Sequence, residues 1–221
     1  MTSRTILQMH DSLVSRLDKW FQSIQAKHGD RMHCARGCSK CCYGLFDISL
    51  PDALRVASAF SMLPQEIRSA AAKRSSAIQK KIIQEGMELQ EPFFLNKISE
   101  EKIDQLVESV SDVLCPLLDW NDHCLIYGHR PIACRLEGIP MVDSHDGLFG
   151  DWCELNFKEG VSSALAEDLR LDYYELQAVE REATAGLSHR LLGIRQDEVT
   201  IFLPSIIAAF DSFWAQWIRP L

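Results

Sequence analysis

No run of about 18 apolar residues, the length a membrane-spanning helix needs, occurs anywhere in the chain. Runs of five basic residues are also missing, and Lys plus Arg are outnumbered by Asp plus Glu, 23 to 31. The net charge of -8 repels phosphate and argues against a nucleic-acid partner. No Gly-rich phosphate loop follows a strand signal, and no Ser-His-Asp order or paired-carboxylate motif stands out, so the catalytic residues stay unknown. His145-Asp146 sits in a turn signal and reads as solvated. Internal repeats and low-complexity linkers are missing too, which predicts one domain over residues 1–221. The segment MTSRTILQMHDSLVSRLDKW has no continuous apolar stretch and no small-residue cleavage site. That predicts no signal peptide and a cytoplasmic compartment, where thiols stay reduced.

Cysteine is what the sequence has in quantity. Eight occur, at Cys34, Cys38, Cys41, Cys42, Cys115, Cys124, Cys134 and Cys153. The first four fall within nine residues and the others between 115 and 153. Burial in the core explains one or two free cysteines but not such a cluster. A disulfide framework suits small secreted chains, whereas 221 residues with 47% apolar content can build a core unaided. The pattern therefore points to metal, with all eight thiols as candidate ligands. In the first run Gly37 supplies the sharp turn that convergent thiolates need, and Arg36 and Lys40 can lower thiol pKa values. Cys41 and Cys42, being adjacent, diverge, so one of them shares a centre with Cys34 and Cys38 and the other serves a second centre or is no ligand. The second run, with spacings of eight and nine residues after Cys115, suits a cage built from several loops. Two four-cysteine sites, or one site with spare thiols, both fit. One centre is expected to draw on both runs. His33, His123 and His129 flank cysteines and are candidates only for a zinc site. Arg135, next to Cys134, is expected to contact the cofactor or orient its loop.

Around the cysteines the periodicity is helical. Ile6, Met9, Leu13, Leu17, Trp20 and Ile24 make one stripe of a long helix ending near Gly29. Ser49, Pro51 and Asp52 start a second, burying Leu54, Ala57, Phe60 and Leu63. Pro64 opens a third, carrying Ile67, Ala71, Ile78 and Ile82, with Gly86 near its end. A fourth is expected from Ser99 to Leu114. Asp172 with Glu175 caps a fifth through about Ala185. Pro204 opens a sixth, with Ile207, Phe210, Trp214 and Trp217 on one face. Strand signals are few: Phe46-Asp47-Ile48, and a hairpin of Ile139–Val142 with Trp152–Phe157 around a Ser144–Gly147 turn. The expected fold is mainly α, a helical domain with a small β-hairpin. An irregular cysteine-rich metal-binding region over 33–157 is flanked by N- and C-terminal helices.

The two runs resemble the cysteine-cluster family of zinc- or iron-chelating domains with the signature CxxCxxCC. The residues that carry the likeness are Cys38, Cys41 and Cys42, Cys115-Pro116-Leu117-Leu118, Cys124-Leu125-Ile126-Tyr127, Arg130-Pro131 and Cys134-Arg135. Cys34 and Cys38 are separated by three residues where the family pattern has two. The family includes flagellin lysine N-methylases linked to an iron–sulfur cluster. The resemblance implies metal binding here, without carrying methylase activity to a chain lacking a Rossmann-type cofactor loop. Cys34-x3-Cys38-x2-Cys41 also has the radical S-adenosylmethionine spacing, but helices rather than barrel units follow it. An excess of thiols over four favours an iron–sulfur cluster, 4Fe-4S above all, over zinc. The expected role is electron transfer or service as accessory to a modification enzyme. The alternatives are a zinc-stabilised module that binds a protein partner and a methylase-like enzyme. Absorption by an anaerobically purified sample separates iron from zinc.

Overall fold

The computed structural model describes residues 2–87 and 89–218. It is mainly helical with small sheets, as expected. In chain order it comprises α1 (Ser3–His28), β1 (Asp47–Ser49), α2 (Leu50–Ser61), α3 (Gln65–Gln84) and α4 (Glu100–Ser109). There follow α5 (Ile132–Leu136), β2 (Met141–Asp143), β3 (Gly147–Phe149), α6 (Ser163–Leu169), β4 (Arg170–Leu171) and α7 (Tyr173–Leu192). Last come β5 (Thr200–Phe202), α8 (Leu203–Ala208), a π-helical turn at Phe210–Trp214 and α9 (Ala215–Ile218).

The main core lies where α2 meets α7, α8 and the π turn. Leu54, Ala57 and Phe60 are buried there with Leu187, Ile206, Ile207, Phe210 and Trp214. β1 supports it by pairing antiparallel with β5, Ile48 opposite Ile201. A second cluster beneath α3 and α4 holds Ile78, Ile82, Leu106 and Val110. Ile24, at the far end of the α1 stripe, packs instead with Ile139, Val142, Phe157 and Leu165. Thr2 and Asp172 cap α1 and α7 through their side chains, accepting from the amides of Thr5 and Glu175.

Several expectations need correction. The fourth helix stops at Ser109 rather than Leu114, because Val113 and Leu114 run extended beside Tyr43 and Gly44. The hairpin exists, but its second arm is Gly147–Phe149, not Trp152–Phe157. Asp143 Oδ1 accepts from the amides of His145 and Asp146, and Gly147 takes φ +81°, so the turn closes earlier than composition suggests. The sixth helix is broken into three pieces. The amide of Trp214 reaches back five residues to the carbonyl of Ala209, and this π turn buries both Phe210 and Trp214. Ser49 makes no side-chain cap, and Asp52, in the first turn of α2, is buried.

Candidate metal centre

The first cysteine run leaves α1 through a single 3₁₀ turn and folds into two tight turns. The amide of Cys38 donates to Ala35 (3.0 Å) and that of Cys42 to Ser39 (2.9 Å). Gly37 takes φ +97°, and a Cβ there would lie 3.2 Å from the ring of His123. Glycine is thus required both by the left-handed backbone and by the close approach of the second run. Beyond Cys42 the chain pairs with the segment after α4. The amide of Gly44 donates to Val113 (2.7 Å) and that of Cys115 to Cys42 (2.8 Å). These bonds lay the two runs side by side although 72 residues separate them.

The loop from Cys115 to Cys124 folds back on itself through a Leu118–Cys124 bridge. Asp119 Oδ1 closes its tip by accepting from the amides of Asn121 and His123. Arg74, reaching over from α3, donates to the carbonyls of Pro116 and Leu118. Cys134 sits in the single turn of α5, whose first amide, Ile132, donates to Asp52 Oδ2 (2.8 Å). Cys153 is anchored by its amide to Gly138 (3.3 Å).

A cleft of about 390 Å³ results. Its walls carry the thiols of Cys38, Cys41, Cys42, Cys115, Cys124 and Cys134. Cys34 and Cys153 meet beside it at Gly138. A Cβ on Gly138 would stand 3.2 Å from the Cβ of Cys153 and 3.9 Å from the sulfur of Cys34. Two groupings emerge. Cys34 is within electrostatic reach of Cys38, Cys41 and Cys153. Cys134 stands likewise to Cys115 and Cys124, and Cys42 joins them through its backbone bond to Cys115. The thiol of Cys41 lies against that of Cys42, so the adjacent pair is where the groupings touch. All eight cysteines are free and partly buried.

Asn156, which sequence reasoning missed, organises the first grouping. Its Nδ2 donates to the sulfur of Cys34 (3.0 Å) and to the carbonyl of Gly138 (2.6 Å), and its Oδ1 accepts from the amide of His33 (2.8 Å). It is 1% exposed. Its signal was present but weak: a lone amide residue three positions after Cys153. Arg135 is not among the residues lining the cleft. It is buried behind the second grouping, donating to the carbonyls of Gly128 (3.0 Å) and Arg130 (2.9 Å) and pairing with Asp18. His33 contributes its backbone here, and His129 lies near Arg55 and Arg135, whose charges add to burial in lowering its pKa.

The electrostatics favour neutral thiols in the absence of a cation. Burial pushes Cys34, Cys124 and Cys134 up, and Cys115 up to about 12. Contact with Cys42, and then burial, drives Cys41 up as well. A bound cation reverses this, since its charge stabilises thiolates and displaces their protons. The donor set suits such a centre: sulfur throughout, held on short loops with main-chain amides close by. Among the described residues no three sulfurs lie within 4.8 Å of one another.

Comparison with known families matches residues 33–154 to CxxCxxCC, described as a putative zinc- or iron-chelating domain. That is 122 of the 221 residues and includes all eight cysteines. No curated protein and no solved structure matches the chain.

Proposed function

The chain belongs to the CxxCxxCC family of zinc- or iron-chelating domains, and from that premise we propose that it carries two iron–sulfur centres serving electron transfer. Cys34, Cys38, Cys41 and Cys153 hold one; Cys42, Cys115, Cys124 and Cys134 hold the other. The carrying observation is the number of thiols gathered in one place: six cysteines line the cleft and Cys34 and Cys153 stand beside it, twice the four that one zinc ion takes.

The residues have distinct tasks in this reading. Asn156 donates to the Cys34 sulfur and so stabilises its charge. Arg135 and Arg74 hold the carbonyls of the second run, fixing the loops on which Cys115, Cys124 and Cys134 stand. Cys41 and Cys42 bring the two centres into adjacency through one peptide unit. When bound, such clusters supply one-electron redox capacity. An electron-transfer protein needs a partner, and Trp120 offers a docking residue. It is 90% exposed at the tip of the Cys115–Cys124 loop. Accessory service to a modification enzyme fits the same arrangement. The same tryptophan also favours the second reading, a zinc-stabilised module that binds a protein partner.

Anaerobic purification followed by iron, sulfide and zinc analysis decides between them. The expected result is a brown protein with about eight irons and matching sulfide, as two cubanes require. A colourless protein containing about two zinc ions and no sulfide overturns the iron–sulfur reading.

A further inference from the structure

Away from the cysteines, three helices bring His10, Asp52 and Glu180 together, from α1, α2 and α7 respectively. One donor atom from each lies within 4.8 Å of the other two. His10 is 0% exposed and Asp52 2%. Neither ring nitrogen of His10 has a hydrogen-bond partner among the described residues, and Asp52 Oδ1 has none either. His10 Nε2 and Asp52 Oδ1 stand 3.5 Å apart without hydrogen-bond geometry. Buried polar atoms left open in this way cost free energy unless something occupies the space between them.

We propose that His10, Asp52 and Glu180 form a separate site for one divalent first-row metal ion. The donor set is one imidazole nitrogen and two carboxylate oxygens, a combination such ions accept, with room left in the coordination sphere. Charge accounting agrees. Arg55 and Arg135 face the same region, and each is paired, to Asp11 and Asp18 respectively. Counted as ionised, Asp11, Asp18, Asp52 and Glu180 outnumber Arg55 and Arg135 by two, and Asp47 adds to the negative side beside Glu180, an excess that a divalent cation offsets. Without a cation Asp52 bears the cost of its burial and, beyond it, repulsion from the Glu180 carboxylate. Glu180 is only partly buried and gives access from the surface. Asp52 keeps its second oxygen on the amide of Ile132, two residues before Cys134. An ion here thus fixes the side chain that holds α5 in place.

Mn²⁺ is the probe, because oxygen-rich sites take it and thiolates bind it weakly. Titration of the full chain, with its cysteine-bound metal in place, is followed by electron paramagnetic resonance. The expected result is one Mn²⁺ equivalent showing nitrogen hyperfine coupling from a single imidazole. Glu180→Gln, an isosteric change at the least buried ligand, should weaken binding at least tenfold while leaving the cysteine-bound metal content unchanged. Wild-type protein that takes up no Mn²⁺ at millimolar concentration overturns the proposal. So does bound Mn²⁺ without nitrogen coupling, or equal binding by Glu180→Gln and Asp52→Asn. The nitrogen signal is read on wild-type protein, so it decides even if a variant misfolds. Cysteine-bound iron and sulfide, counted in the same samples, report separately on the reading of the thiols.

Discussion

The two groupings of thiols differ in what surrounds them. Cys115 and Cys124 pack against the main core, and Cys134 stands in a turn braced by Asp52. Cys34 packs on the smaller cluster between α1 and α6, with an asparagine as its nearest polar partner. Near Cys153, Lys40 and Glu154 form an ion pair in solvent (2.9 Å). One grouping is built into the helical frame, and the other is assembled from loops that hold one another. Perturbing the first should therefore unsettle the fold strongly, whereas perturbing the second should cost less stability and release metal from that grouping alone.

Cys134→Ser is the sharpest test and should have the largest effect. Removal of one thiolate from the embedded grouping should cost about half the bound metal and a large share of the stability, since structural metal sites contribute on the order of 10 kcal/mol. Trypsin cleavage between residues 34 and 50 should accelerate. Full metal content with unchanged cleavage would break the comparison. Asn156→Ala comes next. It strips hydrogen bonds from the Cys34 sulfur, the Gly138 carbonyl and the His33 amide. A loss of about 1–3 kcal/mol is expected from chemical unfolding, with metal lost from the loop grouping alone. If both groupings lose metal equally, they are one unit.

Gly138→Ala separates backbone strain from crowding. Forcing a side chain into a left-handed conformation costs about 1–2 kcal/mol. Gly86 has φ +88° with nothing within 4 Å, so Gly86→Ala carries the backbone cost alone. At Gly138 the new methyl would press on Cys153. Metal loss in Gly138→Ala but not in Gly86→Ala is the expected outcome of elemental analysis, and equal retention would show that the Cys34–Cys153 approach does not matter. The smallest effect concerns pH. Burial raises the Cys115 thiol to about 12 in the metal-free fold, so its neutral form is favoured by folding. That contribution is complete below about pH 9 and fades as pH rises towards 12. Metal-free protein should therefore lose stability in that window, and metal-loaded protein, whose thiolates carry no proton, should not. Parallel melting curves at both pH limits check this.

Much of this architecture is visible in local patterns. The α1 stripe, the Asp172–Glu175 cap and the cysteine runs are each specified within a few residues, where spacing and side-chain chemistry suffice. What escapes is set by distant partners. β5 becomes a strand because Asp47–Ser49 lies beside it. Asp52 looks like an ordinary helix-start acid until α1 and α7 enclose it. α5 is too short for periodicity to detect, and the π turn follows from packing of Phe210 and Trp214. The cysteines are nameable as candidate ligands from the sequence, but their grouping is not. Which thiol meets which depends on the backbone bonds between Cys42 and Cys115 and on Gly138, neither of which spacing encodes.

Those backbone bonds act as a clasp. The amides of Gly44 and Cys115 close a segment of 72 residues that includes the whole of α2, α3 and α4. The entropy of closing such a segment grows only with the logarithm of its length, so ten further residues between α3 and α4 would cost about 0.1 kcal/mol. Length between the two runs is thus nearly free to vary. The clasp itself is not, because a slip of one residue would turn Cys42 and Cys115 to opposite faces. The chain tolerates growth where it is enclosed and demands register where it is joined.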